Sequence, residues 1–82
     1  MNDDIDPIAQ ENILWEDLQF LIKNKTVKVE VTYDQGAALI TGFLKALNNE
    51  FARFQVLEDS KVRTVLIRLD CIDVLDYEID DN

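Results

Sequence analysis

The sequence predicts a mostly β protein: an N-terminal α-helix followed by a strongly bent, five-stranded antiparallel small barrel. Three observations carry this reading. Leu14, Leu18, Leu21 and Ile22 recur at helical spacing. From Thr26 onward the apolar period drops to two. Turn-forming residues then cut the chain into pieces of strand length: Asp34-Gln35-Gly36, Asn48-Asn49 and Glu58-Asp59-Ser60-Lys61.

The helix is expected over about 7–23. Asp6 is placed as its N-cap and Pro7 at the first helical position, where φ is already set. The acids that follow favour the positive end of the helix dipole. Lys23 and Lys25 suit its C-terminal end, and Asn24 is expected there as a left-handed cap. Trp15 flanks the apolar stripe. From Thr26 to Tyr33, Val27, Val29, Val31 and Tyr33 alternate with polar residues, which makes a strand with one buried face. Gly36 supplies a turn position of positive φ. A second strand runs from about Ala38 to Leu47, and Gly42 inside it predicts a sharp bend or bulge. A third covers Phe51 to Leu57 and a fourth Val62 to Leu69. The fifth starts at Ile72 and runs to about Leu75, with Ile72, Val74 and Tyr77 arguing that it reaches Tyr77. The stripe of Ile72, Leu75 and Ile79 leaves a helix open as the alternative for this segment. One domain accounts for residues 1–82: helix, barrel over about 26–77, and an acidic tail over 78–82.

Size and charge bound the function. The chain has 82 residues, 48% hydrophobic and 30% charged, a globular balance. A chain this short buries only about 60–65% of its unfolded surface, so shared surface between subunits is expected. Five short strands also leave sheet edges, which a ring joined edge to edge would cover. With no histidine, a Ser–His triad and His-ligated zinc are excluded. The single cysteine, Cys71, rules out an intrachain disulfide, and its acidic neighbours Asp70 and Asp73 disfavour a thiolate. No apolar run is long enough to span a bilayer. The acidic start Met1-Asn2-Asp3-Asp4 lacks the basic opening of a signal peptide. A cytoplasmic protein, away from membranes and not an enzyme, is the expectation. No cofactor and no metal are expected either: the acids Asp70, Asp73, Asp76, Glu78, Asp80 and Asp81 lack calcium-loop spacing and read as a solvated face.

Net charge is −9, but unevenly spread. Residues 1–22 hold six acids and no base, and residues 71–82 hold five acids and no base. All eight bases lie in 23–70, against six acids there. A mildly basic middle thus sits between acidic ends.

With these elements in place, the chain resembles the Sm-like family, which includes the Hfq-type RNA chaperones, over about 18–77. The first family signature is matched by the turn Gly36 and by Ile40, Gly42, Leu44 and Leu47, with Asn48 where Asp is usual. The spacing between the two glycines is one residue longer than the family norm, and Asn49 is a second candidate for the Asp position. The segment Leu66-Ile67-Arg68-Leu69-Asp70-Cys71-Ile72 matches the second signature, keeping its Arg and losing its Gly. The resemblance implies an SH3-like barrel that assembles into homo-oligomeric rings, here of five to seven subunits. It also implies single-stranded RNA bound at the pore, with a base stacked on a third-strand loop residue, read by an Asn and held by the Arg. Arg68 is that Arg. Phe51 is the stacking residue if Asn49 takes the Asp position. The reading Asn is replaced, by Arg53 in that register and by Ala52 in the other. Cys71 stands where the family often has another Asn.

The candidate RNA-binding residues are therefore Arg68, Phe51, Arg53, Asn48 and Asn49. Three of them have a plainer reading: Arg68 paired with Asp70, Phe51 in the core, Arg53 simply solvated. Candidate subunit contacts are Val65 and Ile67 on the fourth strand, Ile72 and Val74 on the fifth, and Phe43, which should point away from Ile40 and Leu44. An acidic ring that docks a basic protein partner and ignores RNA is the competing expectation.

Overall fold

A computed structural model describes residues 7–79, with side chains from Ile13 onward. Helix α1 (Pro7–Lys23) precedes five strands: β1 (Val29–Tyr33), β2 (Ala38–Leu47), β3 (Phe51–Glu58), β4 (Lys61–Arg68) and β5 (Ile72–Tyr77). A 3-10 turn, Leu69–Cys71, joins the last two. All neighbours pair antiparallel in the order β4-β3-β2-β1-β5. Among the described residues, no helix is long and apolar enough to cross a membrane.

The strand period places the core. On β3, Ala52, Phe54 and Val56 are buried while Arg53, Gln55 and Leu57 face out. Val29, Val31, Ile40, Leu44 and Ile67 complete the strand contribution. Leu18 and Leu21 of α1 are fully covered against them, so the helical stripe docks on the sheet as its spacing requires. At the far edge, the Tyr77 hydroxyl donates to Asp17 Oδ1 at 2.7 Å, and its ring stacks on Phe20 with centroids 5.6 Å apart. These two contacts tie β5 to the helix.

Gly42 is the pivot of the sheet. Up to Gly42, β2 pairs with β1; from Phe43 onward it pairs with β3. A side chain at Gly42 would run into the backbone carbonyl of Gln55 on β3. Only glycine lets the two halves cross this closely. A bulge at Lys45, between the pairs Leu44–Phe54 and Ala46–Arg53, adds to the bend.

The β3–β4 and β1–β2 turns, two of the three hairpin turns, follow from local chemistry. Asp59 and Ser60 each have positive φ, the backbone of a two-residue turn whose twist matches the flanking strands. In the β1–β2 turn Asp34 and Gln35 join Gly36 (φ +83°) in the left-handed region. The Gly36 amide donates to Asp73 Oδ2 at 2.9 Å, anchoring this turn to β5.

Five expectations are corrected, completed or fall outside the described residues. The first strand starts at Val29, because the Val27 amide donates to the Asn24 carbonyl at 3.0 Å and closes a turn through Lys25 and Thr26. Asn24 caps the helix, but through its side-chain amide, which donates to the Phe20 carbonyl at 2.8 Å. It is not among the residues of positive φ. The tail is a strand to Tyr77 rather than a helix. The expected N-cap Asp6 and the end of the acidic tail lie outside the described residues. The sheet, finally, does not close on itself: β4 and β5 are its two edges and are not paired with each other.

Candidate nucleic-acid interface

The site is built at one end of the β2–β3–β4 half of the sheet. Asn48 ends β2, and its side-chain Oδ1 accepts from the amides of Glu50 at 2.8 Å and Phe51 at 2.7 Å. A side-chain carbonyl here stands in for a backbone acceptor and forces the chain to reverse. The backbone amide of Asn48 donates to the Phe51 carbonyl, closing the hairpin. Asn48 is thus the turn-forming residue. Asn49 and Glu50 stand exposed at the tip.

The turn delivers Phe51 to the outer face. It is half-buried but does not join the core, whose inward places on β3 go to Ala52 and Phe54. Directly across on β4 stands Arg68. The Leu69 amide donates to the Glu50 carbonyl at 3.0 Å, so by alternation Phe51–Arg68 is a non-hydrogen-bonded pair. Such pairs bring Cα atoms to about 4.5 Å, so the Phe51 and Arg68 side chains leave the sheet as neighbours on one face. Two residues on, Arg53 shares this outer face, opposite Leu66 on β4 and Ala46 on β2. Together Ala46, Leu47, Asn48, Phe51, Arg53 and Leu66 line an open hollow of about 90 Å³.

Arg68 also has the plainer partner the sequence allows: its Nη2 lies 3.3 Å from Asp70 Oδ2. Both side chains are more than half exposed, so the pair is weak and leaves most guanidinium donors to solvent. Nearby, Lys45 Nζ sits 5.6 Å from the Phe43 ring centroid, a cation–π contact on the same half of the sheet. Cys71 is exposed, and its thiol is pushed above its ordinary value by partial loss of water and by the Asp70 carboxylate. No group of three or more His, Cys, Asp or Glu among the described residues is placed to hold a metal ion.

The side chains expected at subunit contacts divide. Val65 and Ile67 pack in the chain's own core, and Ile72 is half-buried against it. Val74 is 51% exposed. The outward apolar places on β4 belong instead to Val62 and Leu66, 63% and 57% exposed. Leu66 and Ala46 also form walls of the hollow, which the sequence reading missed. Their signal was present in the two-residue alternation that puts Arg53 outside. In comparisons with known proteins, no family model matches this chain, and neither does any curated protein.

Proposed function

We propose that the chain assembles edge to edge into a homo-oligomeric ring in the cytoplasm and binds single-stranded RNA where Phe51, Arg53 and Arg68 meet. The observation that carries this is the cross-strand pair of an aromatic ring outside the core with an exposed guanidinium, flanked by a second Arg. A free base offers a π-face for Phe51 and edge acceptors for arginine, and its phosphate answers either cation. The open edges of β4 and β5 support assembly, since an unpaired edge exposes a row of backbone donors and acceptors. A ring would repeat the aromatic–arginine pair around its axis, so that weak single-base contacts add along one strand.

Asn48 enters this reading as the residue that fixes the tip, since its carbonyl is committed to the turn. In neither register does the base-reading place of the Sm-like pattern hold an amide side chain: it falls on Arg53 with Asn49 at the Asp position, the register that makes Phe51 the stacking residue, and on the buried Ala52 with Asn48 there. The proposed site therefore has stacking and charge but no amide reader, and base selectivity should be shallow.

Fluorescence anisotropy with short U-rich and A-rich RNAs tests the proposal. Binding to both, weakened by added salt and lost in Phe51→Ala and Arg68→Gln, is expected. No binding to either RNA by an assembled protein would overturn it. The acidic ring that docks a basic protein remains the second reading, favoured by the net charge of −9 and by the Arg68–Asp70 contact. Recovery of a basic protein with no RNA from cell extract would decide for it.

A further inference from the structure

The outer face of the β2–β1–β5 half carries two rows of side chains that run across the strands. Leu39, Thr32 and Val74 stand opposite one another in the first row, with Leu39 59% and Val74 51% exposed. Two residues along each strand, the exposed Thr41, Glu30 and Asp76 form the second. Next to them, Lys28, Glu30, Thr41, Asp76, Tyr77 and Glu78 line an open hollow of about 370 Å³. An apolar row thus lies beside an acidic one. We propose that this sheet face docks a basic amphipathic helix of a protein partner, with its apolar stripe on Leu39, Thr32 and Val74 and its Lys and Arg flank over Glu30, Asp76 and Glu78. None of these residues belongs to the proposed RNA site, so the two readings stand or fall separately.

Charge names the occupant. Asp76 stands directly opposite Glu30, and like charges so placed destabilise a strand pair. None of Glu30, Asp76 and Glu78 forms an ion pair with another described residue, and Lys28 is the one base lining the hollow. The isolated fold is disfavoured by this arrangement, whereas a cation held between the two carboxylates is attracted by both. RNA phosphate is repelled here. A second copy brings a net charge of −9 of its own, so the cation comes from a different, basic chain. The rows also set its form. Adjacent strands lie about 4.8 Å apart, so each row spans about 10 Å, with about 7 Å between the rows. Two turns of helix laid along the rows cover that length, presenting apolar residues at i, i+4 and i+7 to one row and neighbouring basic positions to the other. An extended segment turns every second side chain away and meets the rows with fewer contacts.

The probe is a fluorescent synthetic peptide of about 18 residues, long enough to fold as a helix on the surface, with leucines on one face and lysines flanking them. Its anisotropy should rise with the wild-type protein. Glu30→Gln with Asp76→Asn should weaken binding about 10-fold, while its urea midpoint stays at or above the wild type because the opposed pair is gone. Leu39→Ser, checked for folding by circular dichroism, should weaken binding about 5-fold through lost apolar contact. Glu16→Gln with Asp59→Asn makes the same change in net charge at exposed places off this face and should stay within about 2-fold of the wild type. A wild-type protein that ignores the peptide, or a control that loses as much as the face variant, would overturn the proposal. So would a lowered urea midpoint in Glu30→Gln with Asp76→Asn, which would make the two carboxylates structural. Self-association of the wild type that disappears in Leu39→Ser, followed by analytical ultracentrifugation, would give the face to a second copy and overturn it as well.

Discussion

Replacing Gly42 by alanine should be the most damaging single-methyl change in the sheet. The added Cβ would meet the Gln55 carbonyl at less than contact distance, with the Gln55 carbonyl carbon and Val56 Cγ2 each 3.1 Å away. The first obstacle is backbone held in a ladder, so no rotamer change relieves it. Val56 is buried and cannot swing out. Relief requires β2 and β3 to part where β2 leaves β1, at a cost of about 1–3 kcal/mol for overpacking. A weakened ladder hydrogen bond adds about 1 kcal/mol. The total of about 2–4 kcal/mol is a large share of the ~4–12 kcal/mol expected for a domain of this size. Gly36→Ala is the internal control. Nothing lies within 4 Å of its would-be Cβ, but its φ is +83°, so only the left-handed conformation is penalised, by about 1–2 kcal/mol. Urea unfolding followed by circular dichroism should give a midpoint for Gly42→Ala well below that for Gly36→Ala. A Gly42→Ala protein within about 0.5 kcal/mol of the wild type would refute the argument that close strand crossing sets the bend.

Three further outcomes follow from other parts of the molecule. Asn48→Ala should lose about 1–2 kcal/mol in urea unfolding, because two turn amides lose their acceptor, whereas Asn48→Asp keeps that acceptor and should stay near wild type. The Tyr77 phenol is pushed up to about 12 by burial and then by its bond to the Asp17 carboxylate. Its folded-state value is raised, so its stabilisation is complete below about pH 10 and lost as pH climbs toward 12. Melting curves at pH 9 and 11 should diverge more in the wild type than in Tyr77→Phe. On β4 the Val65 and Ile67 amides point into the chain, in step with the Leu69 amide that donates to Glu50, while those of Thr64 and Leu66 point to the open edge. Thr64→Pro should therefore spare the fold and break assembly, whereas Val65→Pro removes an internal ladder donor and should unfold the chain. A Thr64→Pro protein that still forms the wild-type oligomer in native mass spectrometry would exclude pairing along this edge.

That contrast shows how far the sequence could be read. Period, together with the end signals Pro7 and Asn24 and the turn residues either side of β2, placed α1 over about 7–23 and β2 over about Ala38–Leu47, because a buried face repeats at 3.6 or 2.0 residues whatever it packs against. Gly42 was legible as a bend for the same reason: a strand has no use for glycine unless something comes close. Asn24 was harder. Its place at the helix end is a matter of spacing, but whether it bends into the left-handed region or caps through its amide depends on where the chain goes next. The turn through Val27 decided for the amide. Val65 and Ile67 were assigned to a subunit contact because their strand lies at an edge, yet an edge strand still has an inward face, and these side chains occupy it.

The candidate site was legible in its members and not in its arrangement. Phe51, Arg53 and Arg68 stand out in the sequence as an aromatic and two cations in strand-like segments. That Phe51 meets Arg68, and not Arg63 or Lys61, follows from the two-residue length of the β3–β4 turn, which fixes every cross-strand pair by counting outward from Glu58 and Lys61. One residue more in that turn would shift the register of β4 against β3. Either the Phe51–Arg68 pair would part, or the buried and outward faces of β4 would change places. Ile67 would then leave the core for the outer surface and Arg68 would turn inward, a burial the core could not answer with any charge of its own. The core thus enforces the register, and the register makes the site.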